Sequence, residues 1–319
     1  MSTVEVPGVS AIEGSLVTDD NVSLYTRTWS CPEETLKARL VFVHGFSDHC
    51  NFYGILFPTL AKQGIKTYAY DQRGWGRSVK QQSDKGNTGN TERILGDLTC
   101  FLKQILDHET EKELPLYLMG HSMGGGEVLH YAANGPRKIT SRIRGYLCEA
   151  PFIALHEESR PWKPTVVLGR LASKIVPQRQ MVQKLDAKKL CRDADVVKEW
   201  EDDELCHDTG TLECLAAMLD RAAELEEGKA VIKEGSGEGG KTRLWVGFGT
   251  GDYVLSYGSC EKWFKGLKIE DKEFRAYEGW MHKLHSEPGD DKKMFAADVS
   301  KWILDRSGPL SGLAVKPRL

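Results

Sequence analysis

Leu114-Pro-Leu-Tyr-Leu-Met-Gly-His-Ser-Met-Gly-Gly-Gly-Glu-Val-Leu-His-Tyr-Ala-Ala-Asn134 decides how this chain folds. Leu114 to Met119 is an apolar run of strand length, and Met123 to Asn134 reads as a helix. Between them Gly120-His121-Ser122-Met123-Gly124 fits the pattern G-x-S-x-G, with Gly125 and Gly126 following. A serine at such a sharp strand-to-helix turn has its Oγ pushed out above the sheet. Small residues on either side let the two backbones approach closely. The five-residue pattern alone recurs by chance; the strand before it and the helix after it make it informative. The plainer alternative is a glycine-rich turn with a surface serine.

A serine hydroxyl needs a base to take its proton and an acid to orient that base. After an elbow of this kind the acid comes next in chain order, then the histidine. The strand-like run Thr242 to Phe248 leads into Gly249-Thr250-Gly251-Asp252, so Asp252 lies just past a strand, where ligand-facing loops sit. The next such run, Glu273 to Tyr277, leads into Glu278-Gly279-Trp280-Met281-His282. Ser122, Asp252 and His282 are thereby expected on one edge of one sheet. Asp252 also admits a reading as a solvated loop acid. His285 competes for the base, being three residues further on; His282 is preferred because it is nearer the strand end. A His282/His285 metal pair is a further alternative, and no carboxylate cluster nearby in the chain supports it. The oxyanion of an acyl-transfer intermediate needs preorganised N–H donors. One is expected from Met123, the residue after the nucleophile. The second is expected from His44-Gly45-Phe46, with the Phe46 N–H as candidate; an ordinary strand-end turn is the alternative there.

Outward from the elbow, strand-like and helix-like runs alternate. Strands are expected at Leu24 to Trp29, Ala38 to Val43, Lys66 to Tyr70 and Ile143 to Ala150, and helices at Phe52 to Gln63 and Glu92 to Asp107. Such alternation implies a mostly parallel sheet with helices on both faces. The pattern breaks after Pro151: Phe152 to about Gly228 is helical text punctuated by Pro161, Pro164 and Pro177, with no strand runs. Glu234 to Gly240 reads as a flexible linker or loop, and a last helix fits Asp290 to Leu304. The expected fold class is therefore α/β, a mostly parallel central sheet with a helical cap insertion. Residues 1–151 and 232–319 form the core and 152–231 the cap.

Composition narrows the function. The chain has 319 residues, 40% hydrophobic and 28% charged, with 43 Lys+Arg against 46 Asp+Glu. That composition suits a packed core of this size, and the small net negative charge gives no sign of a nucleic-acid partner. The eight cysteines are scattered with no C-x-x-C pair, which argues against a zinc ribbon or a redox motif and for free thiols in a reducing compartment. Met1 to Asp19 lacks the basic and apolar regions of a secretory signal, and no apolar run reaches 18 residues. A cytoplasmic location is the expectation. Pro317-Arg318-Leu319 partly resembles a peroxisomal S-K-L address, and an ordinary tail accounts for it more simply.

The motifs resemble the serine-hydrolase branch of the α/β-hydrolase superfamily, and more narrowly the monoacylglycerol lipases and their lysophospholipase-like relatives. The matching text is His44-Gly45-Phe46-Ser47-Asp48-His49, Asp71-Gln72-Arg73-Gly74-Trp75-Gly76-Arg77-Ser78, the elbow, Glu149-Ala150-Pro151, Gly249 to Asp252, and Tyr277 to Pro288. The resemblance implies an α/β-hydrolase fold and His282, the first histidine of H-x-x-H-x-E, as the catalytic one. It puts the second oxyanion donor at Phe46, where many relatives carry a small residue, and makes Asp71 to Gly74 a structural turn. It implies a serine esterase of lipid metabolism that cleaves monoacylglycerols, a small-molecule acyl ester, through a Ser122 acyl-enzyme, without metal or organic cofactor. A carboxylesterase or lysophospholipase would use the same triad. A serine aminopeptidase would need an acidic cap site, for which Glu157, Glu158 or Glu201 to Glu204 are candidates.

The cap reads two ways. Trp162 to Val176 carries an apolar face (Val166, Val167, Leu168, Leu171, Ile175) with Arg160, Lys163, Arg170, Lys174 and Arg179 around it. That suits an interfacial helix on a membrane or lipid droplet, or a helix packed on the core. Leu212, Leu215, Met218 and Leu219, at helical spacing, suit an acyl tunnel or a packing stripe. Cys206-His207-Asp208 also presents the residue types of a second triad.

Overall fold

The structure is a computed structural model and describes residues 6–107 and 113–310. The first five residues of the N-terminal region and Pro317-Arg318-Leu319, on which the targeting expectations turn, lie outside the described residues. Eight strands form one sheet: β1 (Ser10–Val17), β2 (Ser23–Ser30), β3 (Ala38–Val43), β4 (Ile65–Tyr70), β5 (Leu116–His121), β6 (Ile143–Glu149), β9 (Arg243–Gly249) and β10 (Asp271–Tyr277). Their order is β1-β2-β4-β3-β5-β6-β9-β10, antiparallel at β1–β2 and β2–β4 and parallel in every other pair. The helices between and after them are α1 (Leu56–Lys62), α2 (Thr91–Leu106), α3 (Met123–Asn134), α4 (Arg137–Thr140), α8 (Tyr257–Gly266) and α9 (Asp291–Asp305).

Successive side chains of a strand point to opposite faces, and the two cores follow that rule. Val41, Val43, Leu116 and Leu118 join Leu98 and Phe101 of α2, Val128 and Leu129 of α3 and Phe264 of α8. Leu40, Phe42, Tyr117 and Met119 join Leu56 and Leu60 of α1 and Phe295, Val299 and Trp302 of α9. Both faces of β3 and β5 are therefore covered, which is why those strands read as unbroken apolar runs.

The insertion after β6 holds α5 (Lys163–Ile175), β7 (Gln180–Val182), α6 (Ala194–Asp202), β8 (Thr209–Thr211) and α7 (Leu212–Glu226). It departs from the expected all-helical text, because β7 and β8 pair antiparallel as a ribbon of three residues each. Runs so short leave no periodicity to read. The helix expected from Phe52 begins only at Leu56, because Gly54 takes the left-handed φ of 51° and breaks the first turn. Glu234 to Gly240 is not a free linker. The Glu234 carboxylate accepts from the backbone N–H of Gly235, Thr242 and Glu270, and Arg144 pairs with Glu238. β1 and α8 had no counterpart in the sequence reading; β1 is an exposed edge strand, so one face lacks the apolar rhythm.

Candidate active site

Ser122 sits between the last residue of β5 and the first of α3 with φ 55° and ψ −117°. A non-glycine residue holds such angles only where its surroundings over-determine them. Here Ser122 N donates to Glu149 O at 3.0 Å, and Ser122 O accepts from Gly126 N and Phe152 N. The turn also demands close approach: a Cβ on Gly124 would strike the carbonyl oxygens of Val43 and His44. Gly124 is thus a packing requirement between α3 and the end of β3, as Gly125 and Gly126 are against Pro151 and Phe152.

From this turn Ser122 Oγ lies 2.9 Å from His282 Nε2, and His282 Nδ1 lies 2.7 Å from Asp252 Oδ2. Asp252 Oδ1 accepts from Val254 N at 2.7 Å and Leu255 N at 2.9 Å. With the Asp252 carboxylate on Nδ1–H, Nε2 is left as the acceptor for the serine hydroxyl. Asp252 follows β9 and His282 follows β10, so neighbouring parallel strands deliver both to the carboxyl edge where the elbow stands. Asp252 and His282 are both buried. The structure therefore brings together Ser122, Asp252 and His282, and the open choice between His282 and His285 resolves on distance.

His285 does other work. Its Nδ1 and its backbone N–H both contact Glu149 Oε1, at 2.7 and 3.1 Å, and its ring lies against Tyr53. That carboxylate comes from β6, more than a hundred residues away in the chain, and it meets His285 without His282. By donor type, His121, Glu149 and His285 could hold a metal ion, as could His49, Asp203 and Cys206. In both clusters the donors already bond each other, His285 to Glu149 and His49 Nε2 to Asp203 at 3.0 Å. Burial holds His121 well below the ordinary histidine range, so it stays neutral beside His282.

The loop after β3 lies alongside the serine: a Cβ on Gly45 would come within 3.2 Å of the Ser122 Cβ. It is held by His44, whose Nε2 accepts from Gln72 N and whose carbonyl accepts from Gln72 Nε2. Gly45 N donates to Tyr53 Oη at 3.2 Å. The Phe46 ring packs on Trp75, with centroids 4.9 Å apart, next to Met123. Asp71 accepts from Cys50 N and Arg77 N, and Arg73 grips Asp97 with two nitrogens, so the Asp71 to Gly74 stretch is a structural turn.

A cavity of about 440 Å³ opens between cap and core at this point. Ser122, His282, Phe46 and Met123 line its floor; Val166, Leu212, Leu215, Met218 and Leu219 line its cap side. The stripe on α7 thus lines the cavity, and Met218 and Leu219 pack on the core as well. Glu158, a candidate for binding a substrate amine, reaches the rim but pairs with Lys189 at 2.9 Å. His207 stacks on Trp75 and bonds Gly74 O, and burial pushes it down to about 4, so it forms no triad with Cys206 and Asp208. Lys283, which pairs with Asp48 at 2.7 Å, was missed by sequence reasoning; only its place next to His282 marks it.

A nucleophile on an elbow, its imidazole and its carboxylate, at the carboxyl edge of a mostly parallel sheet, define a serine hydrolase of the α/β-hydrolase fold. The chain belongs to the Hydrolase_4 family, described as serine aminopeptidase, S33, whose model matches residues 34–289. It is 31% identical over 287 residues to a putative monoglyceride lipase of Schizosaccharomyces pombe, covering 90% of this chain and 72% of that protein. The monoglyceride lipase of Saccharomyces cerevisiae is 27% identical over 272 residues, covering 84% and 85%. Among solved structures, a monoacylglycerol lipase of Paleococcus ferrophilus superposes with a TM-score of 0.74 at 25% identity, covering 89% of this chain and 99% of that one.

Proposed function

We propose that this protein hydrolyses monoacylglycerols to fatty acid and glycerol. The observation that carries the proposal is the hydrogen-bonded chain Ser122–His282–Asp252 on the floor of an apolar cavity walled by the cap. The likeness to monoglyceride lipases, one at 31% identity across most of the chain, supports the substrate class. Ser122 Oγ attacks the ester carbonyl as His282 Nε2 takes its proton, and Asp252 stabilises the imidazolium. The Phe46 and Met123 N–H groups stabilise the oxyanion. The tetrahedral intermediate collapses, His282 returns the proton to the leaving glycerol oxygen, and an acyl-enzyme remains. His282 then takes a proton from water, which attacks the acyl carbonyl, and fatty acid leaves as Ser122 recovers its proton.

We further infer that the cap docks on a lipid surface. Trp162, Leu168 and Ile175 are 76, 66 and 80% exposed, with Val167, Leu171, Met181 and Val182 also exposed nearby in the chain. Arg170, Lys174, Arg179 and Lys184 accompany them, a composition suited to an anionic interface. We place the protein in a reducing cytoplasmic compartment, at membranes or lipid droplets, a reading that rests on the scattered cysteines of the sequence and on this exposed apolar face.

The test is fatty acid release from 1- and 2-monoacylglycerols of graded chain length, beside lysophospholipids, short aryl esters and an aminoacyl amide, with Ser122→Ala as control. Preference for long-chain monoacylglycerols, lost in the variant, is the expected result. Activity confined to short esters or to the amide would sink the substrate assignment and leave the triad.

A further inference from the structure

We propose that Lys283 is a positioning residue that ties the loop carrying the catalytic histidine to the loop carrying the oxyanion donor. The proposal rests on the reading of Ser122, His282 and Phe46 given above. Lys283 follows His282 directly in the chain, yet its side chain turns away from solvent: the residue is 3% exposed and Asp48, its partner, 1%. Its Nζ lies 2.7 Å from Asp48 Oδ2. The same Nζ sits 4.6 Å from the centroid of the Phe52 ring and 5.9 Å from that of Tyr53, two aromatic faces that attract an ammonium.

Asp48 belongs to the loop that presents the Phe46 N–H, and it is gripped from three sides. Oδ1 accepts from His49 N at 2.9 Å; Oδ2 accepts from Lys283 Nζ and from Tyr53 Oη at 3.2 Å. The Tyr53 oxygen in turn accepts from Gly45 N at 3.2 Å. A continuous polar path thus runs from the residue beside His282, through Asp48 and Tyr53, to the residue before Phe46. The path is needed because the loop is not at rest: Ser47, between Phe46 and Asp48, holds φ 57°, a left-handed conformation that a serine keeps only when its surroundings enforce it. Burial pushes the Asp48 carboxyl up, and Lys283, together with His49 and His44, outweighs this and holds it below the usual range, in keeping with an ionic tie. Lys283 N also donates to Leu190 O of the cap at 2.7 Å, which fixes the base of the side chain. A shift of either loop would misalign the donor with the oxyanion, while the cap wall of the cavity, Leu212, Leu215, Met218 and Leu219, stayed in place. The expected signature is therefore a loss in turnover rather than in binding.

The experiment compares Lys283→Met, Asp48→Asn and the double variant on a short soluble aryl ester. Rates are normalised to sites titrated with a fluorophosphonate, and thermal midpoints and affinity for a boronic acid transition-state analogue are recorded. Either single change strands a buried charge; the double change removes both and restores thermal stability. The expected result is a kcat at least about tenfold low in the double variant, KM altered less than about threefold, and analogue affinity lowered in step with kcat/KM. A double variant of wild-type stability and wild-type kcat would overturn the proposal, as would losses appearing wholly in KM. If the unmutated protein were neither labelled nor active, the reading of the triad itself would fall. Labelling with an undiminished double variant overturns the tie alone.

Discussion

The sheet edge that carries Ser122, Asp252 and His282 and the cap that covers it are held by different kinds of interaction. At the edge, backbone anchors the reacting residues, and the Lys283–Asp48 pair ties the loops behind them. Ser122 is fixed through its own N–H and carbonyl, Asp252 Oδ1 by two successive backbone N–H groups, and His282 by the Asp252 carboxylate that those groups orient. The cap is attached largely through side chains: Gln180 to the carbonyls of Gln82 and Lys85, His49 to Asp203, Arg192 to Glu287, and Arg221 to Glu127. Its α5 packs on α7, with Arg170 paired to Asp220, and leaves an apolar face uncovered. Reaction geometry needs tolerances of a fraction of an ångström, which backbone anchoring supplies. Selecting a flexible acyl chain needs only an apolar wall of the right length, so that part of the fold can be looser.

The sharpest way to break this comparison is to remove chemistry from the edge alone. Ser122→Ala is expected to lower ester hydrolysis by on the order of 10⁶-fold, and Asp252→Asn by roughly 10⁴-fold through the wrong imidazole tautomer. Neither should move the substrate affinity or the melting temperature much, because the elbow's backbone bonds persist. Steady-state kinetics with thermal melts checks both. An alanine variant that retained activity would mean the nucleophile lies elsewhere.

A cap change should instead read out chain length. Leu219→Trp places a large ring in the tunnel wall lined by Leu212, Leu215 and Met218. If it excludes about three methylenes, at ~0.8 kcal/mol each, long-chain substrates lose roughly 50-fold in kcat/KM. A butyryl ester should keep its rate. Equal losses on both substrates would mean that the cap and the edge are mechanically one unit.

The same division explains what could be read from the sequence. Strand–elbow–helix text at Leu116 to Asn134, and an acid and a histidine just past two later strands, are local patterns in which periodicity and chain order favour one reading over its rivals, so the central sheet and the meeting of Ser122, Asp252 and His282 on its edge were legible. What was not legible depends on contacts between distant residues. Glu149 meets His285, and Asp48 meets Lys283 across 235 positions, with no motif to announce either pair. The β7–β8 ribbon was too short to show a period, and β1 is an exposed edge strand with almost no buried face. The apolar stripes on α5 and α7 looked alike in the sequence. Only the fold shows that the α7 stripe lines the cavity, while α5 gives it Val166 and leaves Val167, Leu168, Leu171 and Ile175 exposed.

That outward face gives a smaller effect. Leu168→Ser with Ile175→Ser removes two exposed side chains that do not line the cavity. Full burial of such a side chain is worth about 1.5–3 kcal/mol, so partial insertion of both predicts at least a ~10-fold weaker partition onto anionic vesicles. Vesicle co-sedimentation measures it. Kinetics on a soluble short ester should be unaltered. Unchanged sedimentation would show that the face is not the docking element.

The seam between α3 and α7 is where edge and cap touch most directly, and it offers a change in stability alone. Glu127 on the nucleophile's helix is fully buried beside Arg221 of the cap, 3.2 Å away, and Glu224 reaches His130 at 2.7 Å three residues further along both helices. Burial raises the Glu127 carboxyl to about 7, outweighing the guanidinium that pulls it down. An acid whose folded pKa is raised binds its proton more tightly when folded than unfolded. Its contribution is fully present below the unfolded value near 4.5 and is lost as pH rises through about 7. Wild-type protein should therefore lose stability relative to Glu127→Gln between pH 5 and pH 8, by roughly 1–3 kcal/mol. Denaturant unfolding at several pH values measures the difference. A flat difference would mean that Arg221 keeps Glu127 ionised throughout, making the seam a permanent ion pair. A falling difference would mean that the cap is held to the nucleophile helix more tightly as the pH drops.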